Sequence, residues 1–365
     1  MTTSSPQCTK TMVAYRYKPG ISQPVAERLP VPSPAPDEVL LRILAAGVCH
    51  SDLSALDTGT VIGQGIAQLA SSFTIGHEGS GVIMELGSSV TSYFPHLTVG
   101  TYVAIGPSTC DKVDCVACSS GKLNLCPHVM PHGVGADGTW AEYMAVRAAA
   151  LVPINEGPGR ISPGVAAVAT DAALTVYHAM KTCCELKPEH TILCLGAGGL
   201  GLNGIGIAKD CLGVRCVVAS DTRHAALQSA VAAGADFAVP PEELQSLLDD
   251  KKILVDYAFD FVGSQDTFDM CFSAIRPGGT IHMLGLAAQT VSITPIITIR
   301  KDLTFRTSFW GTRSELREVL EAIAEGKLKP HVETRPMSHC AQVLEDMHSG
   351  RLRGRVALVP DSLLG

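Results

Sequence analysis

Four cysteines fall within seventeen positions of this chain, in "CDKVDCVACSSGKLNLC", residues 110–126. Cys110, Cys115, Cys118 and Cys126 are separated by four, two and seven residues. Three chemistries compete for such a cluster: a disulfide knot, a redox pair or a metal cage. The chain holds thirteen cysteines, an odd number, and its first twenty residues have no apolar core of the kind a secretory signal requires; both features favour reduced thiols in an intracellular, cytoplasmic protein. A redox pair at Cys115 and Cys118 leaves Cys110 and Cys126 without a role. Four thiolates on one short loop can close a tetrahedron around zinc, and such a cage leaves no open position for chemistry.

A second motif is "TILCLGAGGLGLNGIGIAKDCLGVRCVVASD". Gly196, Gly198 and Gly201 follow an apolar, strand-like run and open a helical one, with Gly199 and Leu200 between them. Glycines at this spacing permit a tight turn, close approach of backbone to a pyrophosphate, and close packing of helix on strand. The helix start then offers free N–H groups and a positive dipole end to phosphates. Asp221 lies twenty residues beyond Gly201, where a carboxylate accepts hydrogen bonds from ribose hydroxyls and repels a 2′-phosphate. NAD is therefore expected, and Arg223, two residues on, leaves NADP open.

Other reactive side chains are scattered: Cys49 in "GVCHSDL", His77 and Glu78 in "TIGHEGSG", and Asp171 in "ATDAALTVYHAM". Singly, a buried Cys is most often a small hydrophobe, and a lone His or Asp a structural polar contact.

The elements that must position these residues read in two textures. The first 160 residues alternate short β-like runs, "EVLLRILAAGV" and "GSGVIMEL" among them, with Gly and Pro turn signals, as an all-β or partly opened barrel would. From Pro163, "PGVAAVATDAALTVYHAM" reads as a largely buried helix. Apolar strands and helical spacers then alternate to "TIHMLGL", indicating a doubly wound parallel sheet. The tail adds an amphipathic helix, "SELREVLEAIAEG", and a closing strand, "GRVALVP", expected to fold back on the first part. At 365 residues two domains are the default. A net charge of −7 argues against nucleic acid as a partner, and nowhere do eighteen apolar residues run together to suggest a membrane span.

Together, "GVCHSDL", "GHEGSG", the four-cysteine run, "GTWAEYMAV", "GAGGLG", "RPGGTIHMLG" and "GRVALV" stand in an order that resembles the zinc-dependent alcohol dehydrogenases of the medium-chain dehydrogenase/reductase superfamily. The resemblance covers essentially the whole chain. It implies an α/β fold: a GroES-like, mainly β catalytic domain over residues 1–172 with a zinc lobe at about 106–132, a Rossmann domain over 173–308, and a return segment over 309–365. It also implies two zinc ions per chain. One is catalytic, on Cys49, His77 and Asp171 with Glu78 as an alternate ligand; one is structural, on Cys110, Cys115, Cys118 and Cys126. Asp52 resembles the carboxylate that orients the ligand histidine. Ser51 resembles the hydroxyl that relays the alcohol proton, and His50 and Arg355 join the cofactor residues.

This chain also departs from the family pattern. Four residues fill the first cysteine gap where relatives commonly have two, Asp171 stands where many have Cys, Ser54 stands where a relay His is common, and Ala226 where a basic residue supports the ribose. Segments bordering the substrate pocket, "SALDTGTVIGQGIAQLASSF" and "TSFWGTR" with Trp310, are small or apolar. They favour apolar alcohols and carbonyls; a polyol dehydrogenase, a zinc-free quinone or enoyl reductase and a non-catalytic nucleotide-binding protein are the alternatives. Relatives assemble as homodimers or homotetramers, and "TPIITIR" near residue 294 is the candidate surface.

Overall fold

The glycine run at 196–201 lies where the buried strand Thr191–Leu195 gives way to the helix Gly199–Gly206. That strand is central to a six-stranded sheet. Its other members are Cys216–Ser220, Phe237–Val239, Val255–Asp260, Ile275–Met283 and Thr304–Thr307. Numbered along the chain, the strands are ordered 3-2-1-4-5-6, and every pairing is parallel. This is the dinucleotide-binding arrangement, whose crevice opens at the carboxyl ends of the first and fourth strands. The central strand is buried along its whole length, as a strand covered by helices on both faces must be.

A computed structural model describes residues 10–58, 71–110, 112–154 and 160–364. Most of "SALDTGTVIGQGIAQLASSF" lies outside the described residues. The β-rich first part forms two sheets. One joins Ile21–Pro30, Thr11–Lys18 and Phe73–Thr74. The other has seven strands, with Glu38–Val48 paired to Gly79–Leu86, Tyr143–Arg147 and Arg355–Val359. The last of these comes from the tail. Val332–Pro336 follows it at the sheet edge in a parallel pairing, so the end of the chain returns to the first sheet.

Between the two large sheets runs one continuous helical segment, Pro163–Val168, Ala169–Ala173, Leu174–Tyr177 and His178–Cys183, whose second and fourth pieces are π-turns. Pro163 starts it, needing no N–H partner there. Its small and branched side chains, Ala166, Ala169, Ala173, Leu174 and Val176, are fully buried. They share one core with Tyr102 and Val152 of the first sheet and Ile192 and Phe259 of the second. Truncating Leu174 to Ala in such a core costs about 2–5 kcal/mol. Among the described residues no helix is long and apolar enough to cross a membrane.

Candidate metal and nucleotide sites

Cys49 sits where the strand Glu38–Val48 ends and the helix His50–Thr58 begins. Asp52, on the first turn of that helix, accepts the Cys49 N–H at 2.8 Å and sets its other oxygen 3.1 Å from His77 Nδ1. A carboxylate there holds Nδ1 protonated and leaves Nε2 as the free lone pair. His77 and Glu78 precede the strand Gly79–Leu86. Asp171 comes from the first π-turn of the long helix, and Thr175, four residues on, donates to its Oδ1 at 2.7 Å.

These elements bring the ligand atoms of Cys49, His77, Glu78 and Asp171 within 4.8 Å of one another. Cys49 Sγ lies 3.6 Å and His77 Nε2 3.5 Å from Asp171 Oδ2. A tetrahedral zinc with bonds of about 2.0–2.3 Å separates its ligand atoms by about 3.3–3.8 Å, so the donor set fits that ion. Two anionic ligands and one neutral imidazole also balance its charge.

Burial alone would push the His77 imidazole down, but Asp52 and the hydrogen bonds of Asp171 and Cys49 hold it well above its usual range. Asp171 is held below the usual carboxylate range despite its burial, chiefly by His77. Glu78 is fully buried and ion-paired to Arg355, while its second oxygen has no hydrogen-bond partner. That orphaned oxygen is what an alternate metal ligand requires. Ser51 Oγ lies 3.8 Å from Cys49 Sγ.

The second cluster assembles as the sequence suggests. The four sulfurs of Cys110, Cys115, Cys118 and Cys126 lie within 4.8 Å of one another, and Cys110 Sγ is 3.6 Å from Cys118 Sγ. The longer first gap does not exclude Cys110, whose N–H also points at Cys126 Sγ, 3.4 Å away. Burial would raise the Cys126 thiol, but donors from His128, Cys110 and Cys118 bring it down to about 7. A tetrathiolate zinc fits these sulfurs. Among the described residues all the cysteines are free.

At the nucleotide fingerprint, Gly196 has φ +89°, a turn that other residues rarely adopt. A Cβ on Gly201 would strike the Gly196 carbonyl at 1.9 Å, and one on Gly199 would strike Arg355 Cδ at 2.1 Å, whereas Gly198 meets nothing closer than Arg223 at 3.9 Å. Gly198 and the helix start beside Leu200 are thus the open approach to backbone N–H groups. Arg355 joins this loop to Glu78, and the electrostatic reach of Arg355 and Arg223 extends to His50. Asp221 follows its strand directly and is mostly buried. Its carboxylate accepts the Ala197 N–H at 2.8 Å and holds the Arg223 guanidinium through two bonds of 3.0 Å. Arg223 is thus an ion-pair partner rather than a free loop charge.

Sequence reasoning missed three groups. His132 is buried, its Nε2 3.0 Å from the His77 carbonyl and its Nδ1 without a partner. Asn124, in the cysteine lobe, donates to the Phe309 carbonyl at 2.5 Å. Thr175 alone had a signal, its position four residues after Asp171 on a helix. Trp310, expected beside the substrate pocket, is buried. It is 7% exposed, adopts φ +53°, and stands edge-on to His77. Its Nε1 donates to the Thr170 carbonyl at 2.7 Å.

Two family models match the chain, the alcohol dehydrogenase GroES-like domain over residues 35–156 and the zinc-binding dehydrogenase domain over residues 199–325. An alcohol dehydrogenase of Geobacillus stearothermophilus is 34% identical over 328 residues, 89% of this chain and 92% of that one. Acetophenone reductase from Geotrichum candidum, solved in complex with NAD, superposes with a TM-score of 0.85 at 32% identity, covering 97% of this chain and 98% of that one. An alcohol dehydrogenase from Aeropyrum pernix gives a TM-score of 0.84 at 26% identity, over 95% of this chain and 100% of that one.

Proposed function

This chain belongs to the zinc-binding alcohol dehydrogenases of the medium-chain dehydrogenase/reductase superfamily, and we propose that it interconverts an apolar alcohol with its aldehyde or ketone, using zinc and NAD(H). The observation that carries this reading is the convergence of Cys49, His77 and Asp171 at tetrahedral spacing, joined to the nucleotide fingerprint through Glu78 and Arg355.

Zinc bound there would supply Lewis acidity for the alcohol-to-carbonyl interconversion. NAD(H) supplies the hydride acceptor or donor. The chain's own residues do the rest. Cys49, His77 and Asp171 would hold the metal, and Asp52 keeps His77 in the tautomer that presents Nε2. Ser51 takes the alcohol proton at Oγ and passes it toward the cofactor ribose. Gly196, Gly198, Gly199, Leu200 and Gly201 cradle the pyrophosphate, with His50 and Arg355 beside it. Asp221 receives the ribose hydroxyls once Arg223 yields; NADP binding would instead use that guanidinium. Trp310 and its neighbours give the pocket an apolar wall.

The same reading places structural zinc on Cys110, Cys115, Cys118 and Cys126, for two zinc ions per chain. It divides the chain into a catalytic domain at 1–172, a Rossmann domain at 173–308 and a return segment at 309–365. The helix Pro295–Lys301, with Ile296 and Ile299 more than half exposed, beside the edge strand Thr304–Thr307, supports a homodimer or homotetramer. The free thiols among the described residues support residence in the cytoplasm.

The test is zinc per chain by plasma mass spectrometry on wild type and Asp171→Ala, assayed in parallel for NADH-dependent reduction of simple aldehydes and ketones. Two zincs falling to one with activity lost is the expected result. One zinc in the wild type, with activity indifferent to the substitution, would replace this reading with a zinc-free reductase.

A further inference from the structure

The long helix ends in a second π-turn, His178–Cys183. On an α-helix two residues five apart lie about 140° apart around the axis. The wider π-turn brings them onto one face, and Cys183 Sγ comes 3.5 Å from His178 Nε2. The other ring nitrogen, Nδ1, lies 2.8 and 3.0 Å from the two Glu315 oxygens. Glu315 is fixed in turn by the Thr182 hydroxyl and by the N–H and hydroxyl of Thr312. A thiol, an imidazole and a carboxylate are thus in line, the order that activates a sulfur nucleophile. None of the three belongs to the metal clusters or the nucleotide fingerprint.

The neighbouring residue provides a contrast within the same turn. Cys184 Sγ lies 3.2 Å from His282 Nδ1, but His282 Nε2 faces the Ser308 hydroxyl at 2.9 Å instead of a carboxylate. Both residues are buried. Burial pushes the Cys184 thiol up to about 12, and burial with the Arg306 and His178 charges takes His282 down to about 4. For His178 the burial effect is outweighed by Cys183 and Glu315, which carry it up to about 9. Cys183 is also the more exposed of the two cysteines.

We propose that Cys183 is a modification site, a thiol that His178 and Glu315 activate for oxidation by hydroperoxides to a sulfenic acid. The Cys183 sulfur attacks one peroxide oxygen as His178 Nε2, 3.5 Å away, takes the thiol proton. An S–O bond forms and the O–O bond breaks. The sulfur gives up two electrons, and the departing hydroxide or alkoxide takes the His178 proton, leaving as water or an alcohol. Two equivalents of an external thiol reverse the change: the first condenses with the sulfenic acid to a mixed disulfide and water, and the second displaces the Cys183 thiol from it.

The experiment uses zinc-loaded protein near pH 7 with a few equivalents of hydrogen peroxide and dimedone, read by peptide mass spectrometry. The dimedone adduct is expected on Cys183 at least about tenfold faster than on Cys184, and about tenfold faster than on Cys211 and Cys216. Those two are half-buried like Cys183, and no histidine hydrogen bond to either is found among the described residues. His178→Asn should remove most of the advantage at Cys183 and leave Cys211 and Cys216 unchanged. A wild-type rate at Cys183 no greater than at Cys211 and Cys216 would overturn the proposal without any variant. So would a His178→Asn protein labelled at Cys183 as fast as wild type.

Discussion

The two cysteine-bearing clusters are built in opposite ways. The lobe draws its four sulfurs from one short loop whose helical pieces, Val116–Ser119 and Leu123–Leu125, bury none of their residues. Val113 and Val116 are 92% and 82% exposed. Cys49 and Asp171, by contrast, stand 122 positions apart and are brought together by a sheet, a helix start and a π-turn with core packed behind them. With the proposed zinc in the lobe, metal-binding energy would be folding energy, because that loop has no core of its own. With the proposed zinc in the scaffold-built cluster, the metal would serve chemistry alone.

If the clusters were alike, emptying either one would have the same effect. We expect Cys49→Ala to lower kcat/KM by about 10³-fold or more while moving Tm by no more than about 2 °C. Replacing Cys115 and Cys118 together by Ser should lower Tm by about 5 °C or more, and activity per folded molecule should fall far less than for Cys49→Ala. Steady-state kinetics beside thermal melts reads both, and equal melting losses would erase the distinction.

Within the scaffold-built site, Ser51→Ala is expected to lower kcat about 10- to 100-fold by removing the proton acceptor. Normal turnover between about pH 6 and 9 would remove Ser51 from the relay. The two regions also touch, through Asn124 and the Phe309 carbonyl. Asn124→Ala should raise KM for a simple ketone about 3- to 5-fold with kcat and zinc content nearly unchanged, the effect of about 1 kcal/mol from one hydrogen bond. No change in KM would mean that the lobe does not brace the loop carrying Trp310.

A separate, pH-dependent effect lies away from both clusters, at His178 and Glu315. The His178 pKa, raised to about 9 when folded, gives stability that is complete below its unfolded value near 6.5 and lost as pH rises through 9. The Glu315 pKa, lowered to about 2, gives stability that is present above about 4.5 and lost as pH falls toward 2. The contribution is therefore greatest between about pH 4.5 and 6.5. The Tm gap between wild type and His178→Asn should shrink from pH 6 to pH 9.5, by an amount equivalent to about 1–2 kcal/mol. A gap that does not change with pH would mean that the ion pair contributes nothing.

Features carried by local spacing were legible in the sequence. The strand, glycine run and helix around Gly196, the Asp221 carboxylate and the four-cysteine run each lie within a few dozen residues and use residue types that little else requires. The convergence of Cys49, His77 and Asp171 was legible only through the order of motifs along the whole chain, since the three have no local relation to one another. The π-turns left no trace in the apolar pattern, because a segment buried on nearly every side has no stripe whose phase could slip. Asn124, His132 and the pairing of Arg223 with Asp221 were hidden for another reason: each is a contact between distant loops or a rotamer choice, and neither has a periodicity.

The π-turn at Ala169–Ala173 also sets how this helix tolerates insertion and deletion. Each α-helical residue turns the chain by about 100°, so losing one residue from Pro163–Val168 or Leu174–Tyr177 would rotate everything beyond it away from its partners. Losing one within the π-turn would relax that turn toward ordinary winding and keep Leu174 and Val176 facing the core. The segment could therefore shorten at this turn without unfolding, and the turn holds Asp171. Length variation here would trade the metal ligand for a straight helix, one route by which a scaffold of this kind becomes a zinc-free one.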